Sequence, residues 1–169
     1  MKRIILTVLL ICSTVASAQQ YLTREARLSF DAGSPLEDIE AFTESGSAVF
    51  DASSGKIGVQ VLMTSFQFKR ALMQEHFNEN YVESEKFPKA SFKGTYNEGK
   101  VKGELSIHGV TKEISVPATL REENENFVLT TAFDIILAEY NVEIPNAVAD
   151  KISKAASIQV QATLKSVGK

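Results

Sequence analysis

Ser65-Phe66-Gln67-Phe68-Lys69-Arg70-Ala71-Leu72-Met73-Gln74-Glu75-His76-Phe77-Asn78, continuing to Phe87-Pro88-Lys89-Ala90-Ser91-Phe92, is the stretch that decides the fold. Here the hydrophobic spacing leaves a period of two, approaches 3.6, and then returns. Leu72, Met73, His76 and Phe77 fall at i, i+1, i+4 and i+5, which places them on one helix face that Tyr81 extends. Lys69, Arg70, Gln74, Glu75 and Asn78 take the other side. Pro88 biases Phe87 towards an extended conformation, so the helix must end before it. The spacing predicts one helical insertion near residues 69–80.

On either side the chain alternates as strands do. Upstream, Ala26, Leu28 and Phe30 precede the turn material Gly33-Ser34-Pro35. From Ile39 to Asp51 the apolar parity changes near Gly46, as at a bulge or a short break. Ile57, Val59, Val61 and Met63 alternate, and Phe66 and Phe68 follow with parity shifted by one, which reads as one long bent strand. Downstream, Phe92, Gly94 and Tyr96 lead to the hairpin loop Asn97-Glu98-Gly99. Val101, Gly103, Leu105 and Ile107 run to His108-Gly109, where glycine can supply the positive φ of a tight turn. Ile114, Val116, Ala118 and Leu120 follow, with Pro117 pointing to an edge or bulge position. Phe127, Leu129, Thr131 and Phe133 form the next strand, then a loop from Ile144 to Ser153, then Ile158, Val160, Ala162 and Leu164. The expectation is all-β: about eight antiparallel strands, mostly joined as neighbouring hairpins, closing into an up-and-down barrel wide enough for one small ligand.

The first residues read as a leader. Lys2 and Arg3 precede an apolar run from Ile4 to Cys12, and Val15-Ala16-Ser17-Ala18 supplies small residues for cleavage after Ala18. Residues 1–18 are expected to be a signal peptide and 19–169 one barrel domain, periplasmic or secreted. The run is too short to span a bilayer. Cys12 is the single cysteine, so cleavage removes all thiol chemistry. Without Lys2 and Arg3 the 18 basic residues fall to 16 against 21 acidic ones, which argues against a nucleic-acid partner. No transmembrane segment is expected after the leader.

Two stretches carry a family likeness. Glu83-Ser84-Glu85-Lys86-Phe87-Pro88-Lys89-Ala90-Ser91-Phe92-Lys93-Gly94, followed by Gly103-Glu104-Leu105-Ser106-Ile107-His108-Gly109-Val110-Thr111-Lys112, resembles the signature of the YceI-like family. The likeness spans roughly Ile39 to Leu164. It implies a lipocalin-like barrel that binds a polyisoprenoid or another long-chain lipid in its interior.

No residue pattern supports catalysis. There is no Gly-x-Ser-x-Gly elbow, and His76 and His108 stand in no metal-ligand spacing. No catalytic residue, metal or cofactor is expected. His108 reads as a structural hydrogen-bonding residue at a hairpin corner, and His76 as either a packed histidine or a ligand contact. Glu83, Glu85, Glu122 and Glu123 read as solvated surface, and Lys86, Lys89 and Lys93 as exposed lysines that could alternatively meet an anionic head group. The candidate ligand-binding residues are Phe66, Phe68, Leu72, Met73, His76, Phe77, Phe92, Ile107 and Phe133, with Gly94, Gly103 and Ala118 as the small residues that leave room among them. The expected partner is an apolar lipid, isoprenoid or fatty-acid-like, bound by a monomer or homodimer. A ligand-free structural or interaction barrel of the cell envelope and a lipid-modifying enzyme are the alternatives.

Overall fold

In the computed structural model, which describes residues 19–167, nine strands account for most of the chain. They are β1 (Gln20–Gly33), β2 (Glu40–Asp51), β3 (Lys56–Leu62), β4 (Gln67–Phe68), β5 (Lys89–Asn97), β6 (Lys100–Ile107), β7 (Val110–Glu123), β8 (Asn126–Ile136) and β9 (Ile152–Ser166). The order β1-β9-β8-β7-β6-β5-β3-β2 is antiparallel throughout, and β1–β2 pairing closes it into an eight-stranded barrel. Closure removes the free edges that would otherwise offer unpaired backbone to another chain. Strand β4 adds only two rungs to β2, Ala41 opposite Phe68 and Phe42 opposite Gln67. The leader expected over residues 1–18 lies outside the described residues. No helix among the described residues is long and apolar enough to cross a membrane.

The alternation read from the sequence sets the inward face of every long strand. The parity change near Gly46 is a pair of register shifts between β1 and β2, where Ala26 faces Gly46 between the rungs Thr23–Ala48 and Leu28–Thr43. A Cβ on Gly46 would collide with the Leu28 side chain, so only glycine lets the two strands approach there.

Two expectations about local structure are corrected and one holds. Ile57 to Phe68 is not one strand: β3 stops at Leu62, a 3₁₀ turn spans Met63–Ser65, and β4 resumes the pairing. Ser65 fixes the break by donating its hydroxyl to the Leu62 carbonyl at 2.7 Å. Pro117 takes the edge position expected of it, since the β7–β8 ladder begins only at Ala118 and leaves Pro117 paired on one side. It occupies the last rung of the β6–β7 ladder opposite Lys100, and the backbone accounting shifts to its neighbours: Ala118 N–H bonds to Gly99 O at 2.9 Å, and Thr131 donates to Pro117 O at 2.7 Å. Gly94 and Gly103 do not make room for a cavity. They face each other across β5–β6, and a Cβ on either would run into the backbone of the opposite strand.

The two poles of the barrel differ. At one, Tyr21, Phe50 and Phe127 interlock edge to face, with ring centroids 4.7 Å apart for Tyr21–Phe127 and 5.0 Å for Phe50–Phe127. Leu164 is fully buried there, so this pole is filled. Both ends of the described chain meet at it, where Val167 N–H bonds to Gln20 O at 2.9 Å. The helical insertion lies at the other pole.

Candidate functional site

Helix α1 (Ala71–His76) is short and runs on as a π-helical turn over Phe77–Tyr81, matching the insertion expected near 69–80. Six residues are too few for a helix to persist on its own. Its stability comes from packing. Phe77 stacks on Phe30 at 5.2 Å and packs against Phe68 at 5.0 Å and Phe66 at 6.0 Å. Such aromatic pairs add about 0.5–1.5 kcal/mol each beyond area burial. Gln74 ties the helix locally, its Oε1 accepting from Phe68 N–H at 3.3 Å and its carbonyl accepting from Asn78 Nδ2 at 2.9 Å.

The chain then returns to the barrel through the segment that carries the family likeness. His108 sits at the β6–β7 turn with φ 49°, followed by Gly109 at φ 74°, the paired positive angles of a two-residue hairpin. Its Nδ1 contacts Tyr140 O at 3.1 Å, its Nε2 contacts Glu83 Oε2 at 3.0 Å, and Phe87 meets the ring edge to face at 4.7 Å. The signature residues therefore form a structural knot that anchors the end of the insertion, with His108 in the role expected for it. Glu83 is not merely solvated surface, since it is one arm of this knot.

Between lid and filled pole lies a cavity of about 490 Å³. Its long walls come from alternate residues of the strands, such as Ile57, Val59 and Val61 of β3 and Leu129, Phe133 and Ile135 of β8. All nine candidate residues lie on its lining: Phe66, Phe68, Leu72, Met73, His76, Phe77, Phe92, Ile107 and Phe133. Their environments differ. Phe66 is buried, Phe92, Phe77 and Phe133 are half-buried, and Leu72 is 62% exposed at the rim. His76 is exposed on the lid and is not packed into the core. Ala118, Gly94 and Gly103 are absent from the lining. Lys86, Lys89 and Lys93 also stand apart from it. Lys86 lies over the Phe87 ring at 4.9 Å and near Glu83 at 3.7 Å, while Lys89 and Lys93 are exposed on the outer face of β5.

Residues outside the strands complete the mouth. The turn between β1 and β2 contributes Glu37 and Ile39, and the connection between β8 and β9 contributes Leu137, Val142, Val148 and Lys151. Ion pairs fasten that first turn to the lid. Arg70 bonds Glu37, and Lys69 Nζ bonds Asp38 at 2.8 Å and Glu40 at 3.4 Å. The Arg70 guanidinium holds the Glu37 carboxyl below its ordinary value, and Lys151 pulls in the same direction. Ser34 Oγ donates to Asp150 O at 2.8 Å and so joins the turn to the second loop.

The barrel is thus closed, antiparallel and hollow at one pole beneath a helical lid. The profile of the YceI-like domain matches residues 23–164. The chain belongs to the YceI-like domain family. Among solved structures, this YceI-like chain is similar to a polyisoprenoid binding domain from Saccharophagus degradans, implicated in plant cell wall breakdown, at 13% identity and a TM-score of 0.75, covering 89% of this chain and 99% of that one. It is also similar to Burkholderia cenocepacia BcnA, at 16% identity and a TM-score of 0.71, with 82% and 95% covered. The YCEI protein of Campylobacter jejuni matches at 21% identity and a TM-score of 0.56, with 73% and 83% covered. At these identities the likeness establishes the YceI-like fold. No curated protein matches the sequence.

Proposed function

We propose that this protein is a periplasmic carrier that holds one long-chain apolar lipid, isoprenoid or fatty-acid-like, inside its barrel. The observation that carries the reading is the cavity of about 490 Å³, walled by aliphatic and aromatic side chains and opening beneath α1. Ligand pockets of this kind are lined mainly by apolar groups, with a few polar ones at the place where orientation is fixed. Burial of a methylene contributes about 0.8 kcal/mol. A dozen buried methylenes therefore give on the order of 10 kcal/mol, enough to offset a substantial association cost of ~4–15 kcal/mol. No bond need form or break, so the role is binding. The lining of the cavity comes from one chain, and the carrier is a monomer or a homodimer. The description of the Saccharophagus degradans relative as a polyisoprenoid binding domain supports the ligand class.

The leader reading of residues 1–18 supports the location. Cell fractionation with N-terminal sequencing should find the mature chain outside the cytoplasm, beginning at Gln19. For the ligand, protein purified without detergent should yield a near-stoichiometric single-chain lipid on organic extraction and mass spectrometry. If no lipid is recovered, and the delipidated protein also takes up no apolar fluorescent probe, the carrier reading fails and a ligand-free interaction barrel is favoured.

A further inference from the structure

The polar side chains of the cavity lining are unevenly placed. Within the barrel the inward hydroxyl is that of Thr131, which is buried and donates to the Pro117 carbonyl, whereas the charged ones, Glu37, Arg70 and Lys151, all belong to the mouth. Arg70 is paired with Glu37, which cancels one positive charge. Lys151 is exposed and makes no ion pair among the described residues. The Ser34–Asp150 hydrogen bond holds its loop against the turn that carries Glu37. The lining at the mouth therefore has one cation more than it has anions, beside an otherwise apolar space.

Resting on the carrier reading, we infer that the ligand is an amphiphile with an oxyanion head group, and that Lys151 receives that head group at the mouth while the chain lies in the barrel. A neutral alcohol or hydrocarbon would leave Lys151 facing water. A carboxylate or phosphate would pair with it at the edge of a low-dielectric cavity, without moving the Arg70–Glu37 pair. The contact is solvent-exposed, so it selects among head groups more than it drives affinity. It is also weakened by salt.

The test is competition against the neutral probe N-phenylnaphthylamine bound to delipidated protein. Palmitate, hexadecyl phosphate and hexadecanol share one chain length and differ in the head. Both anions should displace the probe about fivefold more effectively than the alcohol, the size expected of an exposed ion pair. A preference for only one of them identifies the head as carboxylate or phosphate. Lys151→Met should bring all three together and Lys151→Arg should restore the difference. Glu37→Gln, which frees Arg70, should widen it. Equal displacement by acid, phosphate and alcohol in the unmodified protein would overturn the head-group inference while leaving the carrier reading intact. Probe that neither binds nor is displaced by any of the three would overturn the carrier reading, and this inference with it.

Discussion

Gly103→Ala tests the claim that the barrel closes through a glycine contact between β5 and β6. The added Cβ would lie 2.9 Å from the carbonyl carbon of Lys93, closer still to the Lys93 oxygen, and inside contact distance of Gly94 Cα. All three are backbone atoms, so relief requires displacement of a strand and not rotation of a side chain. Overpacking a well-packed site costs about 1–3 kcal/mol, and a backbone obstacle puts this variant near 3 kcal/mol. For a domain of this size about 1 kcal/mol lowers Tm by ~2–4 °C, so the drop should be roughly 6–12 °C. Two controls separate space from conformation. At Gly99 a Cβ meets nothing, but φ is 79°, so Gly99→Ala should cost about 1–2 kcal/mol from the left-handed backbone alone. At Gly58 the nearest atom is the Val49 Cγ1 at 3.3 Å, a side chain that can yield. The alanine also restricts the unfolded chain by about 0.4–1 kcal/mol, so Gly58→Ala should be near neutral. Guanidinium unfolding followed by circular dichroism, with an unchanged m-value, measures the series. A Gly103→Ala variant as mild as Gly58→Ala would refute the close-approach argument.

Other outcomes follow from the lid and its anchors. Phe77→Ala removes the ring shared by Phe30, Phe66 and Phe68, and should cost about 3 kcal/mol while speeding exchange of a bound apolar probe several-fold in stopped-flow fluorescence. His108→Ala loses the contacts to Tyr140 and Glu83, which should destabilise the protein by about 2 kcal/mol and raise amide exchange around residues 83–88. Acid should loosen the lid from the β1–β2 turn. Glu37 is held below its ordinary value of 4.5, so its contribution is present above that value and disappears as pH falls through its lower folded-state value. Amide exchange across residues 70–76 should therefore rise in that acidic window. In Glu37→Gln the corresponding pH step should vanish.

Period-two alternation made the inward face of the barrel legible, because side chains in a strand change sides at each residue whatever the final curvature. The same reasoning put Phe92, Ile107 and Phe133 on the inner face, and the change to helical spacing marked Leu72, Met73, His76 and Phe77. A parity shift, however, has two physical causes. At Gly46 it was a bulge pair, but at Met63–Ser65 it was a 3₁₀ turn, and spacing alone does not separate them. Gly94 and Gly103 read as empty volume because a sequence shows the missing side chain and not the backbone that fills its place. Glu37 and Lys151 reach the mouth only because barrel closure brings two loops together. No local period marks that meeting. The Glu83–His108 contact was hidden for the same reason, since it bridges 25 positions and two unrelated turns.

The meeting of both ends of the described chain at the filled pole gives the molecule a handle. Gln20 and Val167 are hydrogen-bonded neighbours there, on the far side of the interlocked Tyr21, Phe50 and Phe127 rings from the mouth. A linker, label or surface attachment joined at either end of the barrel hangs from this pole and leaves the entrance facing outward. Immobilised by one end, the barrel presents its opening to whatever flows past. Joining the two ends through a short loop would tie off the filled pole and leave the lid untouched.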